Sequence, residues 1–170
     1  MIPEVVYAFN VYKSGNKLIG LSGGVTLPDF EAMTDSISGA GLLGEFDTTI
    51  LGMFGSLEQE IPFRALDEDI FSFMDPTEMV DLNLRSTRQM LDEKTTAVDF
   101  SNMRIAMRGK LKKFKPGKVE QATQMDCSVT LEILYFLIEI NGESKFELDK
   151  LNFIYKVNGK DILEKVRKYI

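Results

Sequence analysis

The sequence predicts a mainly β protein, built as an antiparallel β-sandwich or partial barrel with one or two short helices. Three observations support this fold class. Apolar side chains recur with a period of two residues along most of the chain. Turn-forming pairs such as Asn141-Gly142 and Asn158-Gly159 separate the alternating stretches. Apolar residues at helical spacing are confined to two short stretches, so strands should dominate the fold.

Four strands are expected in the first half of the chain. Alternation over residues 4–12 predicts the first strand, and Ser14-Gly15-Asn16 supplies a hairpin turn into a second over residues 17–26. Residues 56–63 and 79–85 repeat the pattern, with apolar side chains on one face and mostly polar ones on the other. We therefore expect one face of these strands to pack on a core.

The two longest strands are expected at residues 103–111 and 127–140. In the first, methionine and isoleucine alternate with arginine and lysine. The second alternates as far as Tyr135 and then becomes apolar on both faces, which is typical of a strand buried on both sides. After the turn at Asn141-Gly142, residues 145–155 are expected to form one further strand.

Helix is expected in two places only. Residues 66–74 carry apolar side chains at helical spacing and begin with three acids (residues 67–69), where the helix dipole favours negative charge. Pro76 follows and should end this helix. The sequence of residues 161–169 predicts a short second helix.

The composition indicates one domain, residues 1–170, with no candidate catalytic site. Apolar residues make up 44% of the chain and charged residues 27%, which suits a globular core. There is no histidine, and the single cysteine, Cys127, can form no internal disulfide. The net charge of −6 disfavours general binding to nucleic acid or anionic membrane. No cofactor, metal, secretory signal or membrane anchor is expected, and we expect the protein inside the cell.

Residues 34–55 form an apolar, glycine-rich segment that is predicted to be an irregular loop. Such long loops are usually functional or disordered, and the apolar content of this one argues against disorder. Two interpretations stay open: the segment folds back over its own core, or it is an arm that packs on a neighbouring subunit. The candidate inter-subunit residues are Ile37, Gly39, Ala40, Gly41, Leu42, Leu43, Phe46, Ile50, Leu51, Met53 and Phe54.

Residues 39–44 of this segment fit the spacing G-x-G-x-x-G. A dinucleotide site requires that pattern between a strand and a helix of a βαβ unit. No amphipathic helix is predicted after Gly44, and the chain has no βαβ alternation, so a cofactor site is disfavoured.

Residues 108–118 carry six positive charges and no acid. The favoured interpretation is a basic, solvated hairpin tip, because Pro116-Gly117 predicts a turn and charge at strand ends discourages aggregation. The alternative is a patch for nucleic acid or an acidic partner, with Phe114 as a stacking aromatic residue. The acidic balance of the whole chain argues against that alternative.

Several short motifs occur in an order that carries a family resemblance. They are Gly24-Val25-Thr26-Leu27-Pro28, Gly39-Ala40-Gly41, Met107-Arg108-Gly109, residues 149–153, and Lys156-Val157-Asn158-Gly159 with Asp161, Leu163 and Glu164. Together they resemble the major tail tube proteins of contractile-tailed phages and phage-tail-like particles. The resemblance covers most of the chain, and residues 67–78 depart from the family pattern.

The resemblance implies a structural, non-catalytic subunit. Six subunits would form a ring whose sheets close into one β-barrel around a lumen, and the rings would stack into a tube inside a contractile sheath. The implied partners are other copies of the chain, the tail sheath, the baseplate or tube initiator, the tape-measure protein and, without specificity, passing DNA. The implied location is the bacterial cytoplasm during assembly and then the tail of a virion or a released particle.

A polar wall around such a lumen would let DNA slide, because acidic side chains repel phosphate. The strand alternation makes Glu58, Glu60, Asp81, Asn83, Ser128, Thr130 and Glu132 the candidates for that wall, although the same face is also suited to the sheath. The alternative function is a monomeric small-ligand-binding β-barrel, with the glycine-rich segment as a lid.

Overall fold

The computed structural model describes residues 1–170, and antiparallel strands dominate it. The strands are β1 (Ile2–Lys13), β2 (Asn16–Lys17), β3 (Ala32–Ile37), β4 (Phe46–Phe54), β5 (Glu58–Phe63), β6 (Val80–Leu91), β7 (Val98–Lys115), β8 (Cys127–Ile140), β9 (Glu143–Asp149), β10 (Ile154–Val157) and β11 (Lys160–Asp161). The helices are α1 (Glu68–Phe71) and α2 (Glu164–Tyr169), and neither is long enough to cross a membrane. The predicted mainly β class with two short helices is confirmed.

Nine of the strands form one open sheet in the order β11-β10-β9-β8-β7-β6-β1-β2, with β5 added beside β8. Strand β8 is the branch point, because residues 127–132 pair with β5 and residues 135–140 pair with β9. Strands β3 and β4 form a separate two-stranded sheet. The large sheet does not close on itself, so the chain alone lacks the barrel interior that the ligand-binding alternative requires.

The core lies on one face of the large sheet. The central strands contribute fully buried apolar side chains that alternate as predicted: Leu82, Ile105, Met107, Leu131, Ile133, Phe136 and Leu148. Residues 18–30 and α1 cover this face, and Ile70 and Phe73 on the covering layer are also fully buried. Burying each such side chain stabilises the fold by roughly 1.5–3 kcal/mol.

The second strand is much shorter than predicted. Only Asn16 and Lys17 pair with β1, and the chain then crosses the core without regular structure. Gly20, three residues beyond the end of β2, has a φ angle of 90°, which strand geometry does not allow, so the predicted strand cannot continue through it. The amide of Ser22 donates to Pro62 O at 3.2 Å, and that of Arg64 donates to Gly20 O at 2.9 Å, so the segment is held against β5.

Two other predicted elements also differ in extent. The helix predicted at residues 66–74 is the single turn α1, capped by Asp67, whose carboxylate accepts the Glu68 amide at 2.7 Å. The strand predicted at 145–155 is broken into β9 and β10 by a turn in which Phe153 adopts a φ of 53°. Strand β8 has the predicted bounds, and the adjacent Phe136 and Leu137 in its apolar run are both buried. A β-bulge precedes them, because Arg108 pairs with Tyr135 while the adjacent Gly109 pairs with Ile133.

Candidate assembly surfaces

The glycine-rich segment is not an irregular loop as predicted, because most of it forms the β3–β4 hairpin, hereafter the arm (residues 34–55). The register pairs Ile37 with Phe46 and Ala32 with Phe54, with an irregularity between them. Because of that irregularity and the lack of alternating polar residues, a period of two residues in the sequence does not predict these strands. Residues 39–44 lie in the hairpin turn, where Gly39, Gly41 and Gly44 all have positive φ angles. The glycine motif therefore serves a turn between two strands and not a phosphate loop.

The arm exposes its apolar side chains. Leu43 at the tip is fully exposed, and Phe46 and Leu51 are 51% and 65% exposed. The remaining exposed apolar side chains of the arm are Ile37, Leu42, Ile50 and Met53, and Gly39, Ala40 and Gly41 are exposed in the turn. The tip therefore does not cover the protein's own core.

Only the base of the arm contacts the body of the protein. The Phe54 ring packs edge-to-face on Phe30 and Tyr155, with centroids 5.6 and 5.5 Å apart. Lys150 Nζ donates to Gly55 O at 2.9 Å, which adds a polar contact at the same place. The arm is thus a projecting hairpin held at one end.

The polar residues predicted to line a lumen mostly share the face of the large sheet that lies opposite the core. Glu58 pairs with Glu132, and Glu60 pairs with Thr130. Asp81 and Asn83 lie on the same face across β7, in register with Arg108 and Ala106. Ser128 differs from the others because it is buried, at 6% exposure.

This face carries basic as well as acidic side chains, where a wall of acidic and small polar side chains was predicted. Strand β7 places four basic side chains between the acids: Arg104, Arg108, Lys110 and Lys112. Most of the basic segment at residues 108–118 therefore belongs to a strand rather than to a hairpin tip. Lys112 Nζ donates to Glu58 and lies 3.5 Å from Glu132 Oε2. The hydrogen bond from Lys112 lowers the pKa of Glu58, and the same bond raises the pKa of Lys112.

A second ion pair extends the pattern to the other end of β7. Arg104 Nε donates to Glu139 Oε2 at 2.9 Å, and its Nη1 donates to Asn83 Oδ1 at 3.0 Å. The hydrogen bond from Arg104 lowers the pKa of Glu139. Glu58, Glu132 and Glu139 are therefore held in ion pairs with β7, whereas Glu60 and Asp81 form none. Alternation along a single strand does not reveal this pairing.

The N-terminal edge of the large sheet is a further surface that sequence analysis missed. Beyond the short pairing with β2, strand β1 pairs only with β6, so its outer backbone edge is open over most of its length. Val5, Val6 and Tyr7 are more than half exposed there, and Tyr7 packs edge-to-face on the exposed Phe100. The signal in the sequence was the apolar content of both faces of residues 4–12. An open, apolar strand edge is a template for pairing with another chain.

Comparison of the chain with known protein families identifies the kind of protein that carries these surfaces. Residues 3–170 match the family model described as phage tail tube protein FII. The chain belongs to this family. The resemblance inferred from its short motifs is confirmed, and the chain is a structural tail tube subunit.

Two curated relatives from phages agree with this assignment. The major tail tube protein of Serratia phage KSP20 is 24% identical over 95% of this chain and 91% of its own length. The tail tube protein of Escherichia phage P2 is 25% identical over 99% of this chain and 98% of its own length.

Among solved structures, a chain from the sheath/tube terminator of the extracellular contractile injection system PVC in its extended state has the same fold. Its TM-score is 0.57 at 13% identity, and the match covers 82% of this chain and 98% of that one.

Proposed function

We propose that this tail tube protein forms six-membered rings that stack into a hollow conduit inside a contractile sheath, for the delivery of DNA or the puncture of a membrane. The subunit acts mechanically, by holding its neighbours, and performs no reaction. Its partners in this proposal are other copies of itself, the sheath, the tube initiator and the tape-measure protein. Assembly takes place in the bacterial cytoplasm, and the tube then serves in a virion tail, a bacteriocin or another injection system.

The projecting apolar arm is the observation that carries the proposal. An isolated two-stranded hairpin with this many exposed apolar side chains is poorly stable in water and gains stability by burial against another surface. In a tube, the arm packs on a neighbouring subunit. The open edge of β1 supports ring formation in the same way, because pairing edges around a closed ring removes them.

Electron microscopy tests this function directly. The purified protein is concentrated at moderate salt and viewed in negative stain, both alone and with the tube initiator. We expect rings or tubes of uniform width with a stain-filled channel. A protein that stays monomeric even with the initiator would overturn the proposal. Where tubes form, a capsid gene beside the tube gene would mark a DNA-delivering phage, and its absence would mark a headless particle.

A further inference from the structure

An open apolar cleft lies at the base of the arm, between the arm and the C-terminal segment. Its volume is about 550 Å³, within the range of ~300–1,000 Å³ typical of clefts that bury apolar groups. Ten of its thirteen lining residues are hydrophobic. Among them, Leu51, Met53, Phe153 and Val166 are exposed to solvent, so the cleft is unfilled within its own chain.

The arm and the cleft are complementary in charge as well as in polarity. Residues 34–55 carry three acids, Asp35, Glu45 and Asp47, and no basic residue. The other side of the cleft is built from residues 149–170, which carry six basic residues and three acids. Asp149 and Lys150 are the two charged residues that line the cleft itself, and α2, which contributes Val166, carries the exposed Lys165 and Lys168. An acidic, apolar ligand therefore fits this cleft better than a basic one.

We infer that the cleft receives the arm tip of a second copy of this chain, with Leu42, Leu43 and Phe46 as the inserted side chains. This inference rests on the proposed tube function and names the contact that would link its subunits. The tip cannot occupy its own cleft, because the strand from Phe46 to Gly52 spans about 20 Å at the usual rise per residue. Tip and cleft are different surfaces, so each copy offers one and accepts the other. A head-to-tail contact of this kind closes a ring or continues without limit, as a stacked tube requires.

Cysteine crosslinking tests the contact within assembled tubes. The only native thiol, Cys127, is buried and stays out of the reaction. In a Leu43→Cys/Val166→Cys variant, tubes confirmed by electron microscopy are treated with a short bismaleimide and run on a denaturing gel. We expect a ladder of covalent oligomers, because every chain then carries both halves of the contact. Leu43→Cys with Val119→Cys is the matched control, since Val119 is 91% exposed but lies away from the cleft, and it should give no ladder.

The outcomes separate this contact from the tube itself. Tubes that form normally but give no ladder in the Leu43/Val166 variant would overturn the arm-in-cleft contact, leave the tube function intact and point to a different occupant of the cleft. An equal ladder in the control, or dimers from Leu43→Cys alone, would overturn it as well, because the tip would then meet some other surface. If the unmodified protein forms no tubes even with the tube initiator, the proposed function fails and this inference fails with it.

Discussion

Gly109 lies in β7, where it pairs with Ile133 of β8. A Cβ atom at this position would sit 2.2 Å from Glu132 O and 3.0 Å from the carbonyl carbon of the same residue. Both atoms belong to the backbone of a paired strand, so they cannot move without disturbing the ladder on either side. The glycine of the Met107-Arg108-Gly109 motif therefore has a steric reason that does not depend on function.

Replacing this glycine is expected to destabilise the fold. Gly109→Ala should lower the free energy of unfolding by about 1–3 kcal/mol, the usual cost of forcing a methyl group into a packed site. Urea denaturation at neutral pH measures the change. Gly23→Ala is the control, because a Cβ there meets no atom within 4 Å. Equal losses in the two variants would show that the close approach to Glu132 is not what makes alanine costly.

The two ends of the arm differ in how far their aromatic side chains are packed against the rest of the protein. At its base, Phe54 joins an aromatic cluster with Phe30 and Tyr155, whereas Phe46 near the tip is 51% exposed and makes no such contact. The base therefore sets how firmly the arm is held, and the tip is left exposed to solvent. A sequence pattern identifies the apolar side chains of the segment but does not say which of them face the chain's own core.

Two matched substitutions separate these roles. Phe54→Ala should speed amide hydrogen exchange in β3 and β4 while the central strands exchange as before, because the arm loses its main apolar anchor. Phe46→Ala should leave exchange at the base of the arm unchanged in the monomer but reduce tube formation. Exchange rates measured by mass spectrometry, together with negative-stain images, check both. Identical exchange in wild type and Phe54→Ala would mean that backbone hydrogen bonds alone hold the arm.

At the scale of the whole molecule, alternation was sufficient to predict the central sheet, because one face of β6, β7 and β8 is buried and the other is polar along most of their length. It could not predict the arm hairpin, whose strands lack a buried face. Nor could it predict the pairing of Lys112 with Glu58, since residues 54 positions apart meet only once the register of β5, β7 and β8 is fixed. Local patterns determine which side chains share a face; long-range pairing determines whether that face is acidic or neutral.

The polar face of the large sheet, with its mixture of acids and bases, leads to a prediction about transport. A Glu58→Lys/Glu60→Lys/Glu132→Lys variant removes both acidic partners of Lys112 and turns the region strongly basic. If this face lines the lumen, DNA passage should slow because lysines bind phosphate, while tubes still assemble through the unchanged arm and β1 edge. The control makes the same change in net charge at the exposed residues Glu78, Glu93 and Glu120. DNA entry is timed for particles with tubes of normal length. Normal entry by the first variant would place this face outside the lumen, and equal slowing by the control would assign the effect to net charge alone.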